Sequence, residues 1–133
     1  ASVIDQNGSY LGGMIIPGLR GAVDALSARA SQLPLNISLE APEHLIGTNT
    51  IDCMRSGAIY GNAAMIDGII DRVEEELGAP VTAVATGNLV SLVTPYCERR
   101  IHEEPNLLLR GLGLLYEKNC RKPSEPASRG VNP

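Results

Sequence analysis

A long periodic stretch over residues 50–77 constrains the fold of this chain more than any other feature. Thr48, Asn49 and Thr50, residue types that cap helix N-termini, stand at its start, and Gly78-Ala79-Pro80 stops it. We therefore predict one long helix to Leu77. Its apolar residues lie on more than one face, which is typical of a helix buried on several sides. They are Ile51, Met54, Ile59, Met65, Ile66, Ile69, Ile70 and Val73.

The same helix carries a stripe of small residues, Gly57, Gly61, Ala64 and Gly68. Small side chains let a second helix approach closely, and the distance between helix axes depends on the residues at the contact. Core packing within one subunit and a contact between subunits both stay open, and we predict a homodimer through helix 50–77. The charged end, residues 74–76, is interpreted as a solvated last turn.

Shorter segments around this helix predict an α/β fold. Residues 2–5 and 10–16 flank Asn7-Gly8, a hairpin signal because both residues tolerate positive φ. The hairpin is followed by an amphipathic helix over 18–31. After the long helix we predict a buried strand over 81–86 in a parallel or mixed sheet, a short helix over 89–95, a short strand at 99–101 and a last helix from 104–106. The last helix has an apolar side formed by Leu107, Leu108, Gly111, Leu112, Leu115 and Tyr116. These strands are too few for a finished sheet, so we expect missing partner structure, either an absent N-terminal half or a second subunit.

Composition excludes several classes of function. The 133 residues allow one domain, and a net charge of −4 with four Tyr and no Phe or Trp disfavours nucleic acid as a partner. Three cysteines without a Cys-x-x-Cys motif argue against a disulfide framework or zinc ribbon and fit a cytoplasmic protein. The longest uncharged run, residues 78–97, contains two prolines, so no membrane span is expected. The chain begins at Ala1, without a signal peptide, and is interpreted as a fragment or processed chain.

Candidate binding residues lie at turns. Gly87-Asn88 follows a predicted strand, at the edge where open α/β sheets bind ligands, but the signal is weak and a tight strand-to-helix turn explains it better. Hydroxyls and backbone N–H groups come together at residues 48–50, as a binding site requires, yet helix capping alone would also account for these residue types. His44 and His102 lack metal-ligand spacing, and no phosphate loop or nucleophile elbow occurs. We predict no catalytic and no metal-ligating residue in this chain.

Four segments, in order, resemble motifs of type III pantothenate kinases. Residues 10–19 contain Gly12-Gly13-Met14-Ile15-Ile16-Pro17-Gly18, which is similar to the family's G-G-x-I-x-P-G segment. Residues 46–50, with Ser56-Gly57 and Gly61, resemble its G-x-N-T…S-G…G helix. Residues 84–87 resemble its A-T-G-G strand, and residues 106–112 with 116–119 resemble its L-x-L-x-G-L…Y-x-x-N helix. By these motifs the chain is identified as a member of that family over residues 2–119.

The resemblance implies a ribonuclease H-like domain of the actin-like ATPase superfamily. Residues 1–122 would be its C-terminal half, lacking the first strand, and residues 123–133 a disordered tail. The family phosphorylates pantothenate with ATP, the first step of coenzyme A synthesis, as a homodimer that uses Mg²⁺ and a monovalent cation, K⁺ or NH₄⁺. Its phosphate loop and catalytic Asp lie upstream of this chain, so the chain alone is expected to be inactive.

The resemblance also implies site residues. Thr50 would bind pantothenate, across the dimer, while Gly12, Gly13 and Gly87 would lie on the ATP side. Asn88 stands where the family prefers Gly, and its side chain would crowd the nucleotide. Two alternatives stay open. Members of the family have also been labelled transcriptional regulators of the Baf type, and the truncation allows a non-catalytic dimerisation partner.

Overall fold

A computed structural model describes residues 1–30, 32–34 and 37–120. Over these residues the chain is a mixed α/β structure, and the predicted order of elements is confirmed. The strands are β1 (Ser2–Ile4), β2 (Tyr10–Gly13), β3 (Ala83–Ala85) and β4 (Ile101–Glu103); the helices are α1 (Leu19–Arg29), α2 (Thr50–Leu77), α3 (Val90–Val93) and α4 (Leu107–Cys120), with a 3₁₀ turn over Thr94–Tyr96. Ser31, where the first helix was predicted to end, and the predicted tail 123–133 lie outside the described residues.

Helix α2 has the boundaries that its flanking residues predict. The Asn49 side chain accepts a hydrogen bond from the Asp52 N–H at 3.0 Å and caps the first turn. At the other end Gly78 takes a left-handed conformation with φ 64°, and its N–H bonds to the carbonyls of Glu74 and Glu75. Because the helix has 28 residues, it forms a rod about 42 Å long.

The core lies along one face of α2. Its buried residues, Ser56, Ile59, Ala63 and Ile70, follow helical spacing. Helix α1, helix α3 and the 3₁₀ turn pack against this face through a cluster around Leu19, Ala63 and Val93. The expectation that α2 is buried on several sides is therefore wrong within this chain. The small-residue stripe faces outward: Gly57, Gly61 and Ala64 are exposed.

The N-terminal hairpin forms as Asn7-Gly8 predicts. β1 and β2 pair antiparallel, and Gly8 has a φ of 80°. The Asp5 carboxylate accepts the N–H groups of Asn7 and Ser9, both at 2.8 Å, and the bond from Ser9 lowers the pKa of Asp5. β2 ends at Gly13 rather than at the predicted residue 16.

Strands β3 and β4 form a separate, parallel pair, Ala83 opposite Ile101 and Ala85 opposite Glu103. The parallel arrangement is confirmed, but the prediction of a buried strand is wrong, because the Val84 side chain is 53% exposed. Nothing within the described part of the chain covers that face.

A polar cluster, which we call the Arg99 clamp, ties both parallel strands to α2; it comprises Asp67, Asp71, Glu74 and Arg99. The Asp67 carboxylate accepts the backbone N–H groups of Glu98 at 2.8 Å and Arg99 at 3.0 Å. The Arg99 guanidinium lies 3.5 Å from Asp71 and also pairs with Glu74.

Glu74 completes the clamp by accepting the Val81 N–H at 2.9 Å. The interpretation of residues 74–76 as a merely solvated turn is therefore wrong for Glu74. The clamp also explains why β4 begins at Ile101 instead of residue 99: the backbone N–H of Arg99 bonds to Asp67, so it does not join the ladder.

Helix α4 leaves this body with no buried residue along its length. The apolar side that the sequence predicts is present, but it is exposed. Within the described residues, no helix is both long and apolar enough to cross a bilayer.

Candidate functional site

The loop over residues 45–50 is bound tightly to the start of α2. The Ser56 hydroxyl donates to the Leu45 carbonyl, and the Cys53 thiol donates to the Gly47 carbonyl at 3.2 Å. Gly47 lies so close to the helix that a Cβ there would come within 2.5 Å of the Cys53 nitrogen and 2.7 Å of the Asp52 carbonyl carbon. The glycine of the family-like motif therefore has a steric role, and Ser56 has a hydrogen-bonding one.

Thr50 is the first residue of α2, and it is exposed. Capping, one of the two explanations for residues 48–50, is confirmed and belongs to Asn49; the Thr50 hydroxyl is not used to close the first turn. Among the residues that the structure describes, it makes no hydrogen bond. Thr50 thus presents a free hydroxyl beside the first-turn N–H groups, where a helix favours negative charge.

Charged side chains flank this helix start. Arg55 donates to the Ser38 carbonyl at 3.0 Å and lies 3.2 Å from the Glu40 carboxylate, with Asp52 at 4.0 Å. The guanidinium is therefore held by the preceding loop and is already partnered. Among the described residues at this end of α2, the hydroxyls of Thr48 and Thr50 are exposed and make no hydrogen bond, and that of Thr50 lies beside the first-turn amides.

Gly87 lies just after β3 and is also exposed. Its φ of 123° is a conformation that side chains rarely adopt, so the turn requires glycine there. A Cβ at this position would meet only the Val90 side chain, at 3.9 Å. Asn88 is exposed beside it, and Val90 opens the short helix α3. The requirement for glycine is thus conformational, which agrees with a tight strand-to-helix turn.

Gly12 and Gly13 lie elsewhere. They line a groove of about 280 Å³ between the hairpin and the last turns of α2, together with Val73 and Leu77. Measured along α2, Thr50 lies about 35 Å from Val73. The structure therefore does not bring Gly12 and Gly13 together with Thr50, and the loop that carries Gly87 does not line this groove.

Two ionisable groups away from these sites have displaced pKa values. The hydrogen bond from the Val81 N–H, helped by Arg99, lowers the pKa of Glu74. Partial burial, and to a lesser extent the charge of Asp67, raises the pKa of the Cys97 thiol. Cys97 packs against the core cluster, an environment that disfavours the thiolate.

Sequence reasoning missed the Arg99 clamp. One signal was present, since Asp67, Asp71 and Glu74 recur at helical spacing and share one face of α2. Their partner, Arg99, lies 25 to 32 residues further along the chain, and local patterns do not reveal such a pairing. In the part of the chain that the structure describes, no three His, Cys, Asp or Glu side chains converge as metal ligands.

Comparison with known proteins identifies the family. A family model described as type III pantothenate kinase matches residues 1–72. Proteins named type III pantothenate kinase from Frankia alni and Moorella thermoacetica are each 44% identical, over 117 and 116 residues; these matches cover 88% and 87% of this chain but 46% and 45% of those proteins. The chain thus spans about half the length of the curated relatives it matches.

A solved structure agrees with the fold. A conserved Campylobacter jejuni protein, assigned to the Baf family of transcriptional activators, superposes with a TM-score of 0.55 at 22% identity, covering 89% of this chain and 52% of that one. At that identity the likeness concerns the fold alone. The family model covers more than half of the chain, and the curated relatives carry the same family name. The chain belongs to the type III pantothenate kinase family.

Proposed function

We propose that this chain forms the pantothenate-binding part of an ATP-dependent pantothenate kinase, with Thr50 donating a hydrogen bond to the substrate. Family membership and the names of its relatives support the reaction. The observation that carries the assignment of Thr50 is its exposed hydroxyl, left free because Asn49 caps the helix.

The chemistry of pantothenate suits this helix start. The substrate is a small anion with an amide and two hydroxyls, and it needs a few well-placed polar partners. The first-turn N–H groups of α2 favour negative charge, and the Thr50 hydroxyl can donate or accept. The capping bond of Asn49 and the packing of Gly47 fix the backbone that carries Thr50, so little entropy would be lost when the substrate is bound.

ATP is the proposed phosphoryl donor, and the turn at Gly87 is the proposed nucleotide side of this chain. Gly12 and Gly13 are predicted to have the same role, which stays a prediction, and they lie at a separate place, in the hairpin groove. Mg²⁺ and K⁺ or NH₄⁺ would neutralise phosphate charge in the complete enzyme. The described residues offer no cluster that fits a metal ion, so we assign no ligand here and derive no step through the ions.

The complete enzyme is proposed to be a cytoplasmic homodimer in the actin-like ATPase superfamily, built around α2. The exposed stripe supports a close contact, since a Cβ at Gly57 or Gly61 would meet nothing within 4 Å inside this chain. A Gly61→Leu variant should overpack the contact and shift the enzyme from dimer to monomer in light scattering. Wild-type monomer at high concentration, or an unchanged mutant dimer, would contradict the dimer proposal.

Kinetics on Thr50 variants test the proposed function. In the enzyme completed by the half that the relatives carry, Thr50→Ala should raise the pantothenate KM about tenfold or more, which corresponds to about 1.4 kcal/mol, and leave the KM for ATP nearly unchanged. Thr50→Ser keeps the hydroxyl and should retain most of the affinity. The chain by itself should form no ADP that depends on both ATP and pantothenate.

Asn49→Ala is the matched control. Loss of the cap should cost about 0.5–2 kcal/mol of unfolding free energy, whereas Thr50→Ala should cost less than about 0.5 kcal/mol. A Thr50→Ala enzyme with lowered stability and an unchanged pantothenate KM would refute the binding role of Thr50.

A further inference from the structure

The turn at Gly87 is held from both sides by one residue of the neighbouring strand. On the β3 side, Ala85 lies opposite Glu103, the last residue of β4. On the other side Thr94, which directly follows α3, donates a hydrogen bond from its hydroxyl to the Glu103 carboxylate. This pair, which we call the Thr94 latch, therefore closes a loop over residues 85–94 that carries Gly87 at its open end.

The Thr94 hydroxyl has one proton and two acceptors within reach. The Val90 carbonyl lies 3.1 Å from the Thr94 oxygen, and the Glu103 carboxylate is the other acceptor. Since a hydrogen bond to a carboxylate is about twice as strong as one between neutral groups, the proton is shared with Glu103. The latch thus joins α3 to β4, whereas the bond to Val90 would stay within one turn of α3.

The segment between these two contacts holds itself only weakly. Helix α3 has four residues, too few to be stable through its own hydrogen bonds, and it is anchored in the core through Val93. The Val90 N–H reaches the Gly87 carbonyl at 3.5 Å, longer than a good hydrogen bond, and the Leu92 N–H reaches that of Leu89 at 3.2 Å. Because Gly87 has no side chain to restrict its backbone, the orientation of the turn depends on how α3 is fixed.

The exposure of the latch separates its role from that of the core. Glu103 is exposed and Thr94 is half-buried, so water can satisfy either group when its partner is removed, and the folded state should lose little stability. Water does not, however, join α3 to β4. Loss of the latch should therefore change the position of the turn more than the stability of the chain.

We propose that Thr94 and Glu103 are positioning residues for the nucleotide, which hold the Gly87 turn in the conformation that binds ATP. The proposal rests on the proposed function, since that function places ATP at this turn. A turn already held in its bound conformation loses less entropy when the ligand binds, so the latch contributes to ATP affinity without touching ATP. Helix α3 packs against α2 at Ala63, about 20 Å along the helix from Thr50, so the affinity for pantothenate should not depend on the latch.

Calorimetric titration with ATP, in the protein completed by the half that the relatives carry and without pantothenate, tests the latch. Thr94→Val removes the hydroxyl but keeps a branched side chain, and it should raise the Kd for ATP about fivefold or more, as expected for one lost hydrogen bond. Thr94→Ser keeps the hydroxyl and Glu103→Gln keeps an oxygen acceptor, so both should lose less affinity than Thr94→Val.

Thr82→Val is the matched control. Thr82 is exposed just before β3, and its side chain makes no hydrogen bond among the described residues, so the Kd for ATP should stay within about twofold of wild type. Hydrogen exchange follows the turn itself: in Thr94→Val the amides of Val90 and Leu92 should exchange faster, while the Tm should stay within about 5 °C of wild type.

The outcomes separate this proposal from the proposed function. A Thr94→Val protein that binds ATP as tightly as wild type, or whose KM for pantothenate rises as much as its Kd for ATP, would overturn the role of the latch. A completed wild type that binds no ATP would overturn it as well. A wild type that binds ATP but does not phosphorylate pantothenate would refute the proposed function, while the ATP titration would still decide this proposal.

Discussion

Replacement of Asp67 tests whether the Arg99 clamp holds the parallel strands on α2. The Asp67 carboxylate accepts two backbone N–H groups, from Glu98 at 2.8 Å and Arg99 at 3.0 Å. Hydrogen bonds to a charged group contribute about 1.5–3 kcal/mol each. Asp67 is only half-buried and Glu98 is exposed, so water replaces part of the loss, and Asp67→Ala should lower the free energy of unfolding by about 2–3 kcal/mol.

Asp71 provides the control, because it belongs to the same clamp but makes a different contact. Its carboxylate is 61% exposed and pairs with Arg99 across 3.5 Å, an exposed ion pair of a kind that contributes about 0–1 kcal/mol. Asp71→Asn should therefore change stability by less than about 1 kcal/mol. Urea unfolding of the purified variants measures both differences.

Hydrogen exchange locates the effect. In Asp67→Ala the amides of Glu98 and Arg99 should lose the most protection, while those in the middle of α2 should lose no more than the drop in the global free energy of unfolding. Equal destabilisation by the Asp67 and Asp71 variants, or a loss below about 0.5 kcal/mol for Asp67→Ala, would refute the idea that these two backbone bonds hold the strands.

Three further outcomes follow from the geometry. Gly47→Ala should destabilise the chain by about 1–3 kcal/mol, because its Cβ would press on the backbone of α2. Gly21→Ala, in open space on α1, should instead stabilise the chain by up to about 1 kcal/mol. Thermal unfolding compares the two variants. The lowered pKa of Glu74 means that its ionised form stabilises the fold at neutral pH, so the urea midpoint should fall as the pH drops below about 4, and Glu74→Gln should weaken that dependence. Alkylation by iodoacetamide should modify Cys97 more slowly than the exposed Cys120, because burial raises the Cys97 pKa and the thiolate is the reactive form; equal rates would contradict its packing.

Local signals predicted the elements that local chemistry determines. Asn49 and Gly78 determine the two ends of α2 through bonds within a few residues, and the boundaries are correct for that reason. Gly8 likewise determines the hairpin turn. The start of β4 was misplaced because Arg99 bonds to a residue 32 positions earlier, a contact that no local pattern encodes.

The candidate site was predicted less completely than the fold. The residue types at 48–50 indicated a helix start, but the sequence did not tell which of them caps it; only the geometry assigns the cap to Asn49 and leaves Thr50 free. The substrate itself came from the family resemblance and not from the chemistry of the residues. The separation of Gly12 and Gly13 from Thr50 depends on the length of α2 and on where the hairpin packs, and motif order does not supply either.

The β3–β4 pair leaves two strand edges and one sheet face open within the described residues. Two strands with exposed edges, and Val84 open to water on one face, offer unpaired N–H and C=O groups to any extended peptide. Such a surface is a template for aggregation wherever nothing covers it. A further strand paired with β3 or β4, or a layer packed over Val84, would satisfy those groups and remove the tendency to aggregate.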